Sequence, residues 1–306
     1  MRVLITDHHL PGATLPPADA IVNPNQADCD FPSKALAGVG VVFYVLSSLR
    51  TRLRDDGWFA AQGIAEPNMA NYLDLVALGT VADVVALDAN NRRLVQQGLA
   101  RIRAGRCCPG ITALLRVAER DIASLVASDL GFVVAPRLNA AGRLDDMREG
   151  IECLLCDDPA EAKRMAEDLD ALNLERREIE SGMQNEAMAA MRELTISEEN
   201  LPPGLVLYDR HWHQGVIGLL AGRIKERFHR PTVAFAPAQA PAYGEMPSEL
   251  KGSARSIPGV HIRDVLDAMA TKNPGLITRF GGHAMAAGMS LPSTQLAAFR
   301  LAFEAT

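Results

Sequence analysis

A chain of 306 residues is long enough for two domains, each with its own core. Its 48% hydrophobic and 22% charged residues are ordinary for a soluble globular protein, and no apolar run approaches the roughly 20 residues that a membrane span needs. The net charge of −6 argues against purely electrostatic binding to nucleic acid; residues 201–306 nevertheless sum to +4 (11 Lys and Arg against 7 Asp and Glu), leaving −10 for residues 1–200. That split is either random scatter or the mark of a polyanion held on one domain and cut by metals in the other.

The first element is a strand, Val3-Leu4-Ile5, expected to be buried and to stop on Asp7-His8-His9 before Pro11-Gly12. Because the acid and imidazoles interrupt the only apolar stretch near the start, no signal peptide is expected, and the location expected is cytoplasmic. Ser33 is placed to cap a helix running to about Arg54, with Leu36, Val39, Phe43, Leu46 and Leu53 at helical spacing. A second helix passes through Tyr72, Leu73, Val76 and Ala77 and is expected to break at Gly79. A third begins at Asn90, carries Leu94, Leu99 and Ile102, and stops at Gly105. Residues 1–156 thus read as alternating strands and helices of an α/β domain. Cys153 and Cys156 lie on a helical face there; with Cys29, Cys107 and Cys108 they make an odd set without zinc spacing, and are read as reduced, inert thiols.

Pro159–Leu194 holds one glycine and no internal proline, with Asp158 as cap and Pro159 in the first turn. Met165, Leu169, Leu172, Ile179, Met183, Ala187, Ala190 and Leu194 form its apolar stripe, interrupted by Arg176. At 1.5 Å per residue such a helix spans roughly 54 Å, which suits a connector over residues 157–200, closed by Leu201-Pro202-Pro203-Gly204. The second domain, 201–306, opens with strand Leu205–Tyr208, a helix from about Gly215 to Phe228 and strand Thr232–Ala236. Residues 237–250 read as a loop, followed by Gly252–Ser256, a helix near Ile262–Ala270 and the glycine-rich stretch Gly281–Gly288.

Chemistry concentrates in four places. Asp7, His8 and His9 at a strand end suit a divalent ion with mixed oxygen and nitrogen ligands, Mn²⁺ or Mg²⁺ before Zn²⁺. Asp83, after Gly79-Thr80-Val81-Ala82, is either a helix cap or a further ligand. Arg137 and Arg143 flank small residues and Asn139, a pattern suited to holding phosphate. Gly281-Gly282-His283 reads as a turn able to cradle an anion on backbone N–H groups.

Together, Thr6–Gly12, Gly79–Val84, Pro136–Arg143, Gly252–Ser256 and Gly281–Gly288 resemble the RecJ single-strand-specific exonucleases of the DHH phosphoesterase superfamily, over nearly the whole chain. The resemblance implies a partial, doubly wound DHH domain joined by the long helix to a smaller α/β DHHA1 domain. It implies two-metal hydrolysis of single-stranded DNA, 5′ to 3′, in repair and recombination. His8 and Asp83 would then ligate Mn²⁺ or Mg²⁺, Asp7 would ligate or orient, and His9 would face the scissile phosphate. Arg137, Asn139 and Arg143 would follow the DNA backbone, Ser253 and Arg255 would hold the terminal 5′-phosphate, and Gly282 and His283 would touch the strand. A helicase or single-strand-binding protein is an implied partner, and a membrane is not.

Family members should carry an Asp-x-Asp motif and a further aspartate upstream of the DHH triplet, yet only six residues precede Asp7. They also commonly continue past the DHHA1 domain into an oligonucleotide-binding domain. The chain is therefore expected to be truncated at both ends, with an exposed sheet edge and negligible hydrolysis when alone. The competing expectation is a non-catalytic fragment that binds single strands or a partner. A DHH-type enzyme acting on dinucleotides or pyrophosphate fits the five segments less well.

Overall fold

The computed structural model describes residues 1–12, 14–193, 201–239 and 246–306. They fall into two compact units, Met1–Asn173 and Leu174–Thr306. The chain is mixed α/β, as expected, with a helix-rich first unit.

In the first unit β1 (Leu4–Thr6) and β2 (Ala20–Val22) pair in parallel, Leu4 opposite Ala20 and Thr6 opposite Val22. The expected burial of the first strand does not hold. Leu4 is 58% exposed, because a two-stranded ribbon gives its members little cover. Beyond Val22 the expected alternation gives way to helices: α1 (Gly38–Asp55), α2 (Trp58–Gln62), α3 (Leu73–Ala82), α4 (Ala89–Arg103), α5 (Pro109–Val117), α6 (Ala127–Asp129), α7 (Ala135–Leu144) and α8 (Arg148–Leu155). Ile102, Ile111, Leu114, Leu115, Leu125 and Leu130 are fully buried in one cluster, each contributing on the order of 1.5–3 kcal/mol.

Two local expectations are corrected. Ser33 does not cap α1, whose N-cap is Ala37; its buried hydroxyl donates instead to Asp88 Oδ2 at 2.6 Å, and Asp88 caps α4 by accepting from Asn91 N–H at 2.8 Å. Helix α3 does not break at Gly79 but runs on to Ala82. The glycine serves packing, since a Cβ there would lie 2.6 Å from Val39 Cγ1 of α1.

The long helix is present as α9 (Pro159–Glu193), with Asp158 Oδ1 accepting from Ala160 N–H at 2.8 Å. The two compact units divide within it, between Asn173 and Leu174. Its second half has its own ties to the second unit: Glu180 pairs with Arg223, and Glu186 accepts from Trp212 Nε1 at 3.0 Å. Arg176, which interrupts the apolar stripe, pairs with Glu180 at 2.9 Å. The Ala190 side chain, Leu194 and residues 240–245 of the predicted loop lie outside the described residues.

The second unit comprises β3 (Leu205–Tyr208), α10 (Ile217–Phe228), β4 (Thr232–Pro237), β5 (Glu249–Arg255), α11 (Ile262–Lys272), β6 (Arg279–Gly282), β7 (Ala286–Pro292) and α12 (Leu296–Ala305). The sheet order is β3-β4-β5-β7-β6, with β3 and β4 parallel and the other pairs antiparallel. Phe235, Leu250, Ala254 and Leu291 form one core with Ile262, Leu266, Phe299 and Phe303, and Phe235 meets Phe299 edge-on at 5.0 Å. Burial alternates strictly along β5, so Glu249, Lys251, Ser253 and Arg255 share the opposite face.

Candidate functional site

The loop leaving β1 is organised by the Asp7 carboxylate. Its Oδ1 accepts from His8 N–H (2.7 Å), His9 N–H (3.2 Å) and the His9 ring Nδ1 (2.8 Å). Partial burial pushes the Asp7 carboxyl up, but these bonds outweigh it and hold the group below the usual carboxylate range. An ionised Asp7 favours the His9 tautomer with its proton on Nδ1. The His9 side chain is 58% exposed, whereas that of His8 is 18% exposed and its Nε2 lies 3.3 Å from Asp83 Oδ2. Asp83 is thus both the C-cap residue of α3 and the partner of His8.

Two residues missed by sequence reasoning hold this loop from β2. Asn25 donates to the His8 carbonyl at 2.7 Å, and buried Asn23 donates to the His9 carbonyl at 2.8 Å. Both lie just past the carboxyl end of the strand parallel to β1. The available signal was Asn23-Pro24-Asn25 following a short apolar run, since parallel strands gather their sites at that end.

His8 Nε2 and Asp83 Oδ2 make a mixed nitrogen–oxygen pair. Adjacent donors on an octahedral ion with bonds of ~2.1 Å lie about 3.0 Å apart, so the pair suits two neighbouring positions on one Mn²⁺ or Mg²⁺ ion. Among the described residues no group of three or more His, Cys, Asp and Glu side chains gathers to complete a shell. The residues present therefore fit part of one ion's coordination and do not fit a metal pair by themselves.

Pro136–Arg143 is helical, forming most of α7. Leu138 and Ala141 face the core while Asn139 is exposed one turn from Arg143, so Asn139 and Arg143 share a face. Arg137 is turned elsewhere. Its Nε pairs with Asp170 of α9 at 2.8 Å and its Nη1 donates to the Val133 carbonyl at 2.7 Å.

In the second unit Arg255 Nη1 donates to Ser253 Oγ at 3.0 Å and to the Ala254 carbonyl at 2.8 Å. Both side chains press against Gly218 in the first turn of α10, where a Cβ would sit 3.0 Å from Ser253 Oγ and 2.8 Å from Arg255 Nη2. A guanidinium, a hydroxyl and a helix amino end meeting there form an anion-binding arrangement. The stretch Gly281–Gly288 is chiefly a β-hairpin rather than a free glycine turn. His283 N–H donates to the Ala286 carbonyl at 2.8 Å, and Gly282 has φ +147° with the Ala286 carbonyl oxygen 2.4 Å from any added Cβ. Strand pairing uses backbone groups expected to cradle an anion; the His283 side chain remains exposed at the turn.

These two sites, on two α/β units joined by a continuous helix, define a class, and comparison with known proteins agrees. Residues 1–80 match the model of the DHH family N-terminal domain, and residues 202–306 match that of the DHHA1 domain. The chain is 62% identical over 303 residues to the single-stranded-DNA-specific exonuclease RecJ of Dickeya dadantii, covering 99% of this chain and 51% of that relative. A crystal structure of exonuclease RecJ bound to manganese superposes with TM-score 0.76 at 34% identity, covering 99% of this chain and 68% of that one. RecJ from Thermus thermophilus in complex with Mn²⁺ gives TM-score 0.80 at 34% identity, covering 100% and 41%. The chain belongs to the RecJ family of DHH/DHHA1 phosphoesterases. It spans about half the length of the enterobacterial relatives that it matches.

Proposed function

We propose that this chain serves a single-strand-specific 5′–3′ exonuclease that hydrolyses phosphodiester bonds with Mn²⁺ or Mg²⁺. The observation that carries the reading is the His8–Asp83 pair beside the exposed, Asp7-bound His9 in one unit, together with the Ser253–Arg255–Gly218 anion site in the other. An ion held by His8 and Asp83 would supply an activated water and neutralise charge developing on the phosphate. Of the chain's own groups, His8 and Asp83 hold an ion, while Asp7 with Asn23 and Asn25 fixes the loop. His9 Nε2 meets a phosphate oxygen or a proton there. Asn139 and Arg143 follow the strand's backbone, Arg137 supports them through Asp170, and Ser253 and Arg255 select the terminal 5′-phosphate. Gly282 and His283 place the hairpin turn beside the strand. The setting is DNA repair and recombination in the cytoplasm, with a helicase or single-strand-binding protein as accessory partner.

The test is a comparison of wild type and His9→Ala on 5′-phosphorylated single-stranded and duplex DNA with Mn²⁺. With only part of one ion's ligands among the described residues, hydrolysis by this chain alone is expected to be negligible, so the readout is any residual release relative to H9A. Mononucleotide release from single strands that vanishes in H9A supports the reading. Hydrolysis indifferent to H9A refutes the site. Binding of single strands without any hydrolysis would instead favour a non-catalytic strand-binding role.

A further inference from the structure

One aromatic side chain stands in water far more than any other among the described residues. Phe132 is 83% exposed, against 46% for Tyr72 and 39% for Trp58. Its neighbours Leu130, Val133 and Val134 are buried. The backbone that presents it is a π-helical turn, Leu130–Val134, which runs directly into α7. Such turns are rare insertions in α-helices and occur frequently at functional sites. Here the turn sends three aliphatic side chains into the core and one aromatic ring outward.

Position along the helix gives that ring its company. Phe132, Pro136, Asn139 and Arg143 follow one another at intervals of four, three and four residues, the repeat of a single helix face. Burial agrees: Phe132 and Asn139 are exposed, Pro136 and Arg143 are half-buried, and Leu138, Ala140 and Ala141 between them are buried. At 1.5 Å per residue the stripe is about 16 Å long. Its Phe132 end begins beside the last turn of α3, where a Cβ on Gly131 would lie 3.1 Å from Val81 Cγ1. Val81 is two residues before Asp83, the partner of His8.

A protein partner would be met by a contiguous apolar patch. This stripe instead sets one ring in line with an amide and a guanidinium. An aromatic face stacks on any nucleobase, and the polar groups suit the phosphates beside it.

We propose that Phe132 is a stacking platform for one base of the single strand whose backbone follows Asn139 and Arg143. The proposal rests on the reading of that face of α7 as the strand's path. A base reaches the ring only after leaving its own stack, which costs least in a single strand and requires unpairing in a duplex. Phe132 therefore favours single strands over duplex and is indifferent to base sequence.

The experiment is fluorescence anisotropy on the full chain in EDTA, which prevents cleavage. The probes are 5′-phosphorylated, 3′-fluorescein oligothymidylates eight nucleotides long, and a set in which one abasic residue moves along the strand. Phe132→Ala should weaken the all-thymidine probe by about 5- to 100-fold, the range of one base–aromatic stack, with an unchanged thermal melt. Phe132→Trp and Phe132→Tyr should bind as wild type does, and Phe132→Leu should not. At one abasic position wild type should fall to the affinity of F132A. An F132A that binds like wild type while Arg143→Gln weakens every probe would overturn the platform and leave the strand's path standing. A loss in F132A that F132L restores, or that persists at every abasic position, would also overturn stacking. F132A and R143Q both as tight as wild type, or a wild type without measurable binding, would remove the path and the platform with it.

Discussion

Gly218→Ala separates ligand chemistry from fold integrity. The new methyl lands 3.0 Å from Ser253 Oγ and 2.8 Å from Arg255 Nη2. Both are tighter than a Cβ tolerates, and the more mobile group is the end of the arginine. The guanidinium must swing off Ser253, breaking the 3.0 Å bond that aligns the two donors. Losing one aligned charge-assisted hydrogen bond to phosphate removes about 1.5–3 kcal/mol, or roughly 10- to 100-fold in binding. That loss should fall on 5′-phosphorylated strands and spare 5′-hydroxyl strands. Stability should move the other way, because alanine in a helix is favoured over glycine by at most about 1 kcal/mol. Anisotropy with both kinds of strand and a thermal melt provide the readouts. A variant that melts at or above wild type but has lost its 5′-phosphate preference fits the reasoning. A preference that survives the methyl, in a protein of unchanged stability, refutes the assignment of Ser253 and Arg255.

Two further outcomes follow from the first unit. Asp88→Ala removes the α4 cap and strands the buried Ser33 hydroxyl, and should cost about 1–3 kcal/mol in chemical denaturation at pH 7. Burial pushes the Asp88 carboxyl up, but donation by Asn91, Ser33 and Asn90 brings it below its ordinary 3.8. Its contribution is thus fully present above pH ~3.8 and lost as pH falls through the lower folded value, so wild type and D88A should converge in acid. Burial likewise pushes the Cys108 thiol up to about 12 and Cys153 to about 11, leaving both neutral at pH 8. Both should resist alkylation in the folded chain and react once it is unfolded in guanidinium, as read by peptide mass spectrometry; rapid labelling of either in the native chain would contradict their burial.

Legibility varied with the range of the interaction. The long helix was plain, because its cap, first-turn proline and apolar stripe are all local. So were β3, β4 and the helix near 262–270, whose apolar patterns match their periods, whereas β5, β6 and β7 were not read as strands because glycine and small polar residues interrupt their alternation. The same local logic misassigned Ser33, since Ser followed by an apolar-periodic stretch looks like a cap whether or not a remote carboxylate claims the hydroxyl. It also misjudged Gly79, where a neighbouring helix decides the backbone: Val39 makes a glycine the residue that fits within a continuous helix.

The sequence alone determined the family and the chemical inventory: an acid and two imidazoles at a strand end, an aspartate after a helix, and a serine and an arginine two residues apart. Those signals are contiguous, and side-chain period follows from backbone geometry. Which groups meet was decided only by tertiary structure. His8 finds Asp83, Arg137 turns to Asp170, Asn23 and Asn25 hold the histidine carbonyls, and Lys251 bonds Ser290 of the neighbouring strand. Most of these pairings join residues far apart in the chain. They form because burial and strand register bring the elements together, and no local pattern encodes that distance.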